Sequence, residues 1–183
     1  GIGAFEAGNV AATLPILRAT ELLQPDHSDT RATTIALGLY AAYNTAATII
    51  SIPAGRLVDR IGGRAVLVAG VAAFGFAYVG FAFDTPHWWL LAVWFVLAGL
   101  GIGCVETAEH ATVATHAPEH IRGSAFGLLA AVQSFGNLAA SGIAGILWVA
   151  ISPTAAFIYV AIWMTLALAA LAAARTTRIA HAS

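Results

Sequence analysis

Residues 65–83 read AVLVAGVAAFGFAYVGFAF, a run of nineteen residues without a single charged side chain. A helix needs about 20 mainly apolar residues to cross a bilayer, so this stretch is long enough to be a transmembrane helix. The apolar run is continuous, whereas a strand of a membrane barrel would alternate polar and apolar residues. The stretch therefore predicts a membrane-spanning helix and sets the fold class for the chain around it.

The composition of the whole chain agrees with this prediction. Its 183 residues are 60% hydrophobic and only 9% charged, whereas soluble domains are roughly 25% charged. A small soluble domain leaves too much of its surface in water to hide so many apolar side chains. The net charge of −1 provides no basic excess to neutralise phosphates, which argues against nucleic acid as a partner. The single cysteine, Cys104, lies in an apolar run and is expected to be a small buried side chain.

Five further apolar stretches bring the prediction to six transmembrane helices, at 1–23, 34–54, 65–83, 88–114, 123–149 and 154–174. The connections are 24–33, 55–64, 84–87, 115–122 and 150–153, with a tail at 175–183. Of the 17 formal charges (8 basic and 9 acidic), 12 lie in the connections or the tail, as expected for helices buried in hydrocarbon. We therefore predict an all-α, multi-pass membrane protein whose residues 1–183 form one bundle. The first residues already read as the inside of an apolar helix, so we expect the chain to be a fragment.

Arginine is distributed unevenly between the two sides of the predicted bundle. One side holds connections two and four and the tail, which contain Arg56, Arg60, Arg64, Arg122, Arg175 and Arg178. The other side holds Arg31, with Arg18 near the end of the first span. Cytoplasmic loops carry the excess of Lys and Arg. We therefore predict a plasma (cell inner) membrane protein, with the 55–64 loop and the C-terminus in the cytoplasm.

Several residues near the outer ends of the spans have specific predicted roles. Trp88 and Trp89 are expected to anchor the chain at the membrane–water interface on the non-cytoplasmic side, because tryptophan is enriched at headgroup level. Arg18 and Glu21 are three residues apart and are expected to form a weak surface ion pair. Pro15 lacks a backbone donor and is expected to kink the first span.

Two segments of the chain are similar to each other. Residues 36–42 read ALGLYAA and residues 125–131 read AFGLLAA, with five of seven positions identical at an offset of 89. The two spans that contain them cross the membrane in opposite directions. We interpret the chain as two inverted three-helix repeats, an arrangement typical of transporter halves. The alternative is chance similarity between helices rich in Ala and Gly.

The second connection, residues 55–64, reads GRLVDRIGGR. It resembles the G-x-L-x-D-R-x-G-(basic)-(basic) loop of the major facilitator superfamily, which joins the second and third helices of a six-helix half on the cytoplasmic side. The matching residues are Gly55, Asp59, Arg60, Gly62 and Arg64. In the family this aspartate meets a helix N-terminus of the opposing half, where negative charge is favoured. The resemblance thus implies that the loop is a conformational gate, with a charge network weakened by Gly63, where the family often has Arg or Lys.

A second stretch, PEHIRGSAFG at residues 118–127, resembles the entry into the fifth helix of such a half. The first span, with Asn9 and the sequence Leu17-Arg18-Ala19, is more similar to the seventh helix of the family than to its first. The fourth span lacks the arginine-bearing motif, and the fifth lacks the Gly-Pro pair, that mark the N-terminal half. The resemblance covers essentially the whole chain. It implies the C-terminal half of a twelve-helix transporter, with an N-terminal six-helix half as its partner.

Three ionisable residues of the fourth span, Glu106, Glu109 and His110, are placed on one helical face by spacings of three and four. Ionisable groups inside a bilayer are costly and usually mark a pathway or a paired site. Because neighbouring carboxylates repel each other and histidine titrates near neutral pH, we predict that these residues carry coupling protons. Two structural alternatives are pairing with Arg60 or Arg64 and solvation at headgroup level. No second cluster of ligands is visible on another helix, so no metal site is predicted.

Further polar side chains occur in the first, second and fifth spans, which line the substrate cavity in the family that the chain resembles. These candidate pathway residues are Glu6, Asn9, Tyr40, Tyr43, Asn44, Gln133 and Asn137. They offer hydrogen-bond donors, acceptors and aromatic walls for a polar organic solute. Hydrogen bonding between helices is the alternative role for the amide side chains.

Together these features predict a secondary active transporter that moves a small solute by alternating access, with protons as the expected coupling ion. The sequence contains no G-x-x-x-x-G-K loop, so neither ATP use nor any other cofactor is predicted. An enzyme is not predicted, because it would need a second constellation of His or Asp on another helix. The two alternatives are a membrane-embedded enzyme that uses the acids of the fourth span, and a non-transporting helical scaffold, including a half that pairs with itself.

Overall fold

The computed structural model describes the backbone of residues 2–83 and 87–180, and the side chains of residues 3–83 and 87–173. These residues are almost entirely helical and include no strand, which confirms the predicted all-α fold class. The helices are α1 (Ile2–Glu6), α2 (Thr13–Leu23), α3 (Asp29–Ile61), α4 (Gly63–Ala82), α5 (Trp88–His116), α6 (Arg122–Ala150) and α7 (Pro153–Ala180). Short 3₁₀ turns at Gln24–Asp26 and Glu119–Ile121 precede α3 and α6.

Five of these helices are long and apolar enough to cross a membrane, each with an apolar window of at least eighteen residues. They are Asp29–Ile61, Gly63–Ala82, Trp88–His116, the stretch Glu119–Ala150 and Pro153–Ala173. Large apolar side chains are exposed on these helices, among them Ile52 of α3, Phe76 of α4 and Val149 of α6, which are 67%, 63% and 88% exposed. An apolar surface of this kind is stable against lipid rather than water.

The prediction of one continuous helix over residues 1–23 is wrong. The chain leaves the helix after Glu6 and starts a new one at Thr13. This break places Pro15 in the first turn of α2, where its missing N–H would have had no helical partner. The proline therefore lies just after the break and does not kink a continuous helix.

The second predicted connection, 55–64, is also different from the prediction. Helix α3 continues through Pro53 and most of the predicted connection, and ends at Ile61. The turn to α4 consists of Gly62 alone, whose φ of 89° is a conformation that glycine adopts readily. Helices continue beyond the apolar span because their backbone is satisfied in water as well as in lipid, which is also why α5 extends to His116, two residues past its predicted end.

The packing of the helices follows an inverted arrangement of two three-helix units. Helix α5 packs against α3 and α4, whereas α1 packs against α6 and α7, and α4 meets α7 at the centre. The first helical segment of each unit thus contacts the second and third helices of the other unit, a pairing compatible with the predicted inverted repeats.

Glycines and aromatic rings form the centre of this bundle. A Cβ atom added to Gly101 would lie 2.7 Å from the backbone nitrogen of Phe74 and 2.9 Å from the carbonyl oxygen of Gly70, so α4 and α5 are in backbone contact. Next to this contact, the rings of Phe74 and Tyr78 stack with centroids 4.4 Å apart. Small residues at such crossings let helices approach closely in a bilayer.

Arg18 lies in a different place from the one predicted. It is only 5% exposed, and its Nε atom donates a hydrogen bond of 3.3 Å to the carbonyl oxygen of Phe81 in the last turn of α4. The prediction that Arg18 forms a surface ion pair with Glu21 is therefore wrong. The guanidinium of Arg18 instead caps the carbonyl end of α4, where positive charge is favoured.

The predicted anchor at the start of α5 is partly described. Trp88 and Trp89 are 57% and 55% exposed at the first turn of α5, as expected for side chains at the interface. Residues 84–86, and the side chains of Arg175 and Arg178 in the tail, lie outside the described residues.

We expect Gly101→Ala to destabilise the bundle by about 1–3 kcal/mol, because the added methyl group overlaps backbone atoms of α4. The measurement is the unfolding midpoint of the purified protein in detergent. Gly142→Ala is the matched control, because an added Cβ at Gly142 has no neighbour within 4 Å and alanine is the better helix former. Equal midpoints for the two variants would contradict the proposed backbone contact.

Candidate functional site

The break between α1 and α2 frees backbone groups inside the bundle, and three side chains from other helices satisfy them. The hydroxyl of Tyr159 on α7 donates to the carbonyl oxygen of Ala7 at 2.7 Å. The Nδ2 atom of Asn137 on α6 donates to the carbonyl oxygen of Asn9 at 2.9 Å. The N–H of Ala11 donates to the Oγ atom of Ser141, also on α6, at 2.7 Å. Irregular backbone at membrane depth is tolerated where protein groups replace the missing helical bonds in this way.

A polar cleft of about 380 Å³ lies beside the break. Its walls come from the first segment, α5 and α6, and the lining residues are Glu6, Asn9, Ile102, Glu106, Gln133, Ser134 and Asn137. The cleft thus brings together five of the predicted candidates, which are up to 131 residues apart in sequence (Glu6 to Asn137). In the described part of the chain, carboxyl, amide and hydroxyl groups line it and no basic side chain does.

Glu6 is the most enclosed residue of the cleft, with only 2% of its surface exposed. Its Oε2 atom accepts a hydrogen bond of 3.2 Å from the Nδ2 atom of Asn9, which the break brings back over the last turn of α1. Gly136 on α6 allows this position, because a Cβ atom there would lie 2.6 Å from the Cβ atom of Glu6. The carboxyl group is close enough to Glu106 and Glu109 for their charges to interact.

The two acids of α5 have different surroundings. Glu106 is exposed on the wall of the cleft. Glu109, one turn further along, is 1% exposed, and its Oε2 atom accepts a hydrogen bond of 2.7 Å from the Nε2 atom of Gln133. Its Oε1 atom is buried without a hydrogen-bond partner among the described residues. Neighbouring positions on one helix thus present one carboxyl group to the cleft and one to the interior.

His110 lies next to these acids but does not line the cleft. Its ring is exposed and stacks on Phe126 of α6, with centroids 5.9 Å apart. Its Nδ1 atom is 2.8 Å from the carbonyl oxygen of Glu106. Because a carbonyl only accepts, this contact requires the proton on Nδ1.

The alternative of pairing between these acids and the arginines of the second connection finds no support in the described residues. Arg64 donates from Nη2 to the carbonyl oxygen of Ala172 on α7 at 3.4 Å, and Arg60 is exposed near the end of α3. Asp59 is also exposed there, and Gly55 lies half-buried one turn before it. The residues of the predicted gate therefore form the end of α3, the Gly62 turn and the start of α4, at a distance along the helices from the cleft.

The aromatic candidates on α3 form a separate group. The rings of Tyr40 and Tyr43 stack with centroids 5.8 Å apart, and neither residue lines the cleft. The backbone of Tyr43 lies against Gly99 of α5, so this pair packs beside the helix that carries Glu106. Asn44 is exposed, and its Nδ2 atom donates to the carbonyl oxygen of Tyr40 in its own helix at 2.9 Å.

Three residues of the candidate site were not predicted: Ser134 in the wall of the cleft, and Ser141 and Tyr159 at the break. The spacing of four between Asn137 and Ser141 is a signal that a single helical face carries both. No local pattern indicates Tyr159, which is 152 residues from its partner Ala7. Among the described residues, no three of His, Cys, Asp and Glu come together in a group that could hold a metal ion.

Comparison with known proteins places the chain in a family context. The protein-family model described as Major Facilitator Superfamily matches residues 2–182 of the chain. An uncharacterized MFS-type transporter, MJ1317, from Methanocaldococcus jannaschii is 36% identical over 155 residues, which cover 85% of this chain and 38% of that protein. An uncharacterized MFS-type transporter, YhjO, from Bacillus subtilis is 30% identical over 118 residues, which cover 60% of this chain and 29% of that protein. The chain therefore matches well under half the length of these curated relatives.

We expect Tyr159→Phe to loosen the break, because it removes only the hydroxyl that binds the carbonyl oxygen of Ala7. A hydrogen bond of this kind is worth about 1 kcal/mol, which corresponds to roughly fivefold faster local opening. The measurement is amide hydrogen exchange of a peptide that covers residues 3–14. Tyr40→Phe is the control, because no hydrogen bond of the Tyr40 hydroxyl is found within the described ranges. Unchanged exchange in Tyr159→Phe would mean that this hydroxyl does not hold the break.

Proposed function

This chain belongs to the major facilitator superfamily, and we propose that it is the C-terminal six-helix half of a secondary active transporter for a small organic solute. The observation that carries the proposal is the polar cleft at the break in the first helix. Gln133 and Asn137 lie near the middle of α6, so the cleft lies at about the depth where transporters of this architecture hold their solutes.

The second part of the proposal concerns energy coupling. We propose that a proton moves between Glu106, on the wall of the cleft, and Glu109, buried one turn away. The support is the hydrogen bonding of Glu109: Gln133 occupies Oε2, whereas Oε1 has no partner in the described part of the chain and is free to take a proton. Glu106 is exposed to the cleft and provides the route to water.

The third part concerns alternating access and location. We propose that an N-terminal six-helix half packs against this chain in a plasma membrane, with the 55–64 segment and the C-terminus on the cytoplasmic side. Asp59 is exposed at the end of α3, three residues before the Gly62 turn, and is therefore available to a helix N-terminus of the other half. This contact would hold one conformation closed.

We predict that Glu106→Gln and Glu109→Gln, made in the full-length protein in proteoliposomes, each reduce proton-driven accumulation of solute to the level reached without a gradient. Solute exchange should persist in Glu109→Gln, because Glu109 does not line the cleft, glutamine resembles a protonated carboxyl group and exchange requires no release of a proton. The measurement is labelled-solute uptake with and without a proton gradient, over a panel of organic solutes.

Glu119→Gln is the control for this experiment, because Glu119 is exposed in the turn before α6 and lines no cleft. Loss of accumulation in only one variant would restrict coupling to that carboxyl group. Full accumulation in both would reject these acids as the coupling groups.

For the gate, we predict that Asp59→Asn lowers the transport rate at least several-fold while solute binding is retained, because the loop no longer holds a closed state. Asp29→Asn is the matched control, since Asp29 is exposed at the opposite end of the same helix. Transport rate and equilibrium binding, measured on the same preparations, separate the two effects. Equal rates for the two variants would exclude a gating role for Asp59.

A further inference from the structure

A second cavity, an apolar groove of about 610 Å³, lies between α6 and α7 beside the first segment. We call it the α6–α7 groove; its large side chains are Val132, Phe135 and Ile143 from α6, and Tyr159 and Trp163 from α7. Phe135 and Ile143 are 75% and 45% exposed, so the groove opens on the surface that α6 presents to lipid. The side chains of its walls are apolar apart from the Tyr159 hydroxyl, which donates to Ala7, the indole N–H of Trp163 and one carboxyl group.

That carboxyl group belongs to Glu6, which lines both the groove and the polar cleft. Helix α6 crosses Glu6 at Gly136, where an added Cβ atom would lie 2.6 Å from the Cβ atom of Glu6. Residues 132, 135 and 139 lie on the groove side of this crossing, and residues 133, 134 and 137 lie on the cleft side. A buried acid thus stands between an apolar space and a polar one.

The hydrogen bonds of the cleft favour a ligand that donates. Each side-chain amide of Asn9, Gln133 and Asn137 already uses one of its two N–H groups, to bind Glu6, Glu109 and the backbone of Asn9, respectively. The three amide oxygens and the carboxyl groups of Glu6 and Glu106 remain as acceptors, so acceptors outnumber the donors that are left. No basic side chain lines either cavity in the described part of the chain, so the charge of the two spaces together is complementary to a cation.

We propose that the transported solute is an amphipathic organic cation with N–H donors, whose head binds at Glu6 and Glu106 in the cleft and whose apolar chain lies in the α6–α7 groove. This inference rests on the proposed function and names its substrate class. It assigns charge recognition to Glu6 and recognition of the apolar chain to α6 and α7.

The test uses the full-length protein in lipid nanodiscs, with empty nanodiscs subtracted. Decylguanidinium is the probe, because a guanidinium group stays charged and carries several N–H donors; butylguanidinium and decyl sulfate are the comparisons. We expect decylguanidinium to bind at least tenfold more tightly than decyl sulfate. Glu6→Gln should weaken this binding at least tenfold, and Glu106→Gln provides the second charge variant if Glu6→Gln does not fold.

Two adjacent tryptophan variants test the groove. Ala139 lines the groove and Leu138 lines neither cavity, and both side chains are exposed on α6. Because each buried methylene contributes roughly fourfold in affinity, Ala139→Trp should reduce the preference for decyl over butyl guanidinium by about tenfold or more. Leu138→Trp should leave that preference unchanged. Because the probe partitions into lipid equally with both variants, the difference between them reports binding in the groove alone.

Equal effects of the two tryptophan variants, or equal binding of decyl sulfate, would overturn the inference. Proton-driven transport of another solute that decylguanidinium does not inhibit would also overturn it, and would leave the proposed transport function intact. Binding as expected without gradient-driven movement of any solute would support the substrate class and reject the proposed proton coupling.

Discussion

Every backbone N–H and C=O group at membrane depth must find a partner within the protein, because hydrocarbon offers none. Five long helices and the shorter α1 and α2 meet this requirement along most of their length, and the segment between Glu6 and Thr13 is an exception within the described part of the chain. There the carbonyl oxygens of Ala7 and Asn9 and the N–H of Ala11 are satisfied by Tyr159, Asn137 and Ser141. The break is stable only because α6 and α7 lie beside it, so local conformation and tertiary packing depend on each other at this point.

The same break creates the site. By ending α1 at Glu6, it lets Asn9 reach back to the Glu6 carboxyl group and turns the chain so that both side chains face α5 and α6. Because Gly136 has no side chain, Glu6 packs directly against the backbone of α6. An unbroken helix would bond the carbonyl oxygens of this segment internally and would leave none for Asn137. The polar cleft and the apolar groove are therefore both consequences of one irregular segment.

Much of the fold follows from the sequence, because lipid imposes a simple rule on composition and length. The apolar run at 65–83 and the arginines grouped near residues 56–64 are sufficient to predict helices that cross a membrane. The position of the break is harder to predict: residues 7–12 are as apolar as their neighbours, and the groups that make their irregular backbone stable lie about 130–150 residues away. The second connection was predicted to begin at residue 55 instead of Gly62 for a related reason, since charges at 56–60 mark the membrane surface but not the end of a helix. The difference between Glu106 and Glu109 is likewise invisible in their spacing, because it depends on where Gln133 packs.

The spacing of Asn137 and Ser141 has a consequence for the evolution of α6. Both residues form hydrogen bonds to the broken segment from one side of the helix, and Glu6 packs against the neighbouring Gly136. Insertion or deletion of a single residue between 136 and 141 would rotate one part of the helix by about 100° relative to the other. The side chains of Asn137 and Ser141 would then point in different directions, and either the carbonyl oxygen of Asn9 or the N–H of Ala11 would lose its partner. We therefore expect substitutions on the lipid side of α6 to be tolerated, whereas a change in the number of residues between 136 and 141 should not be.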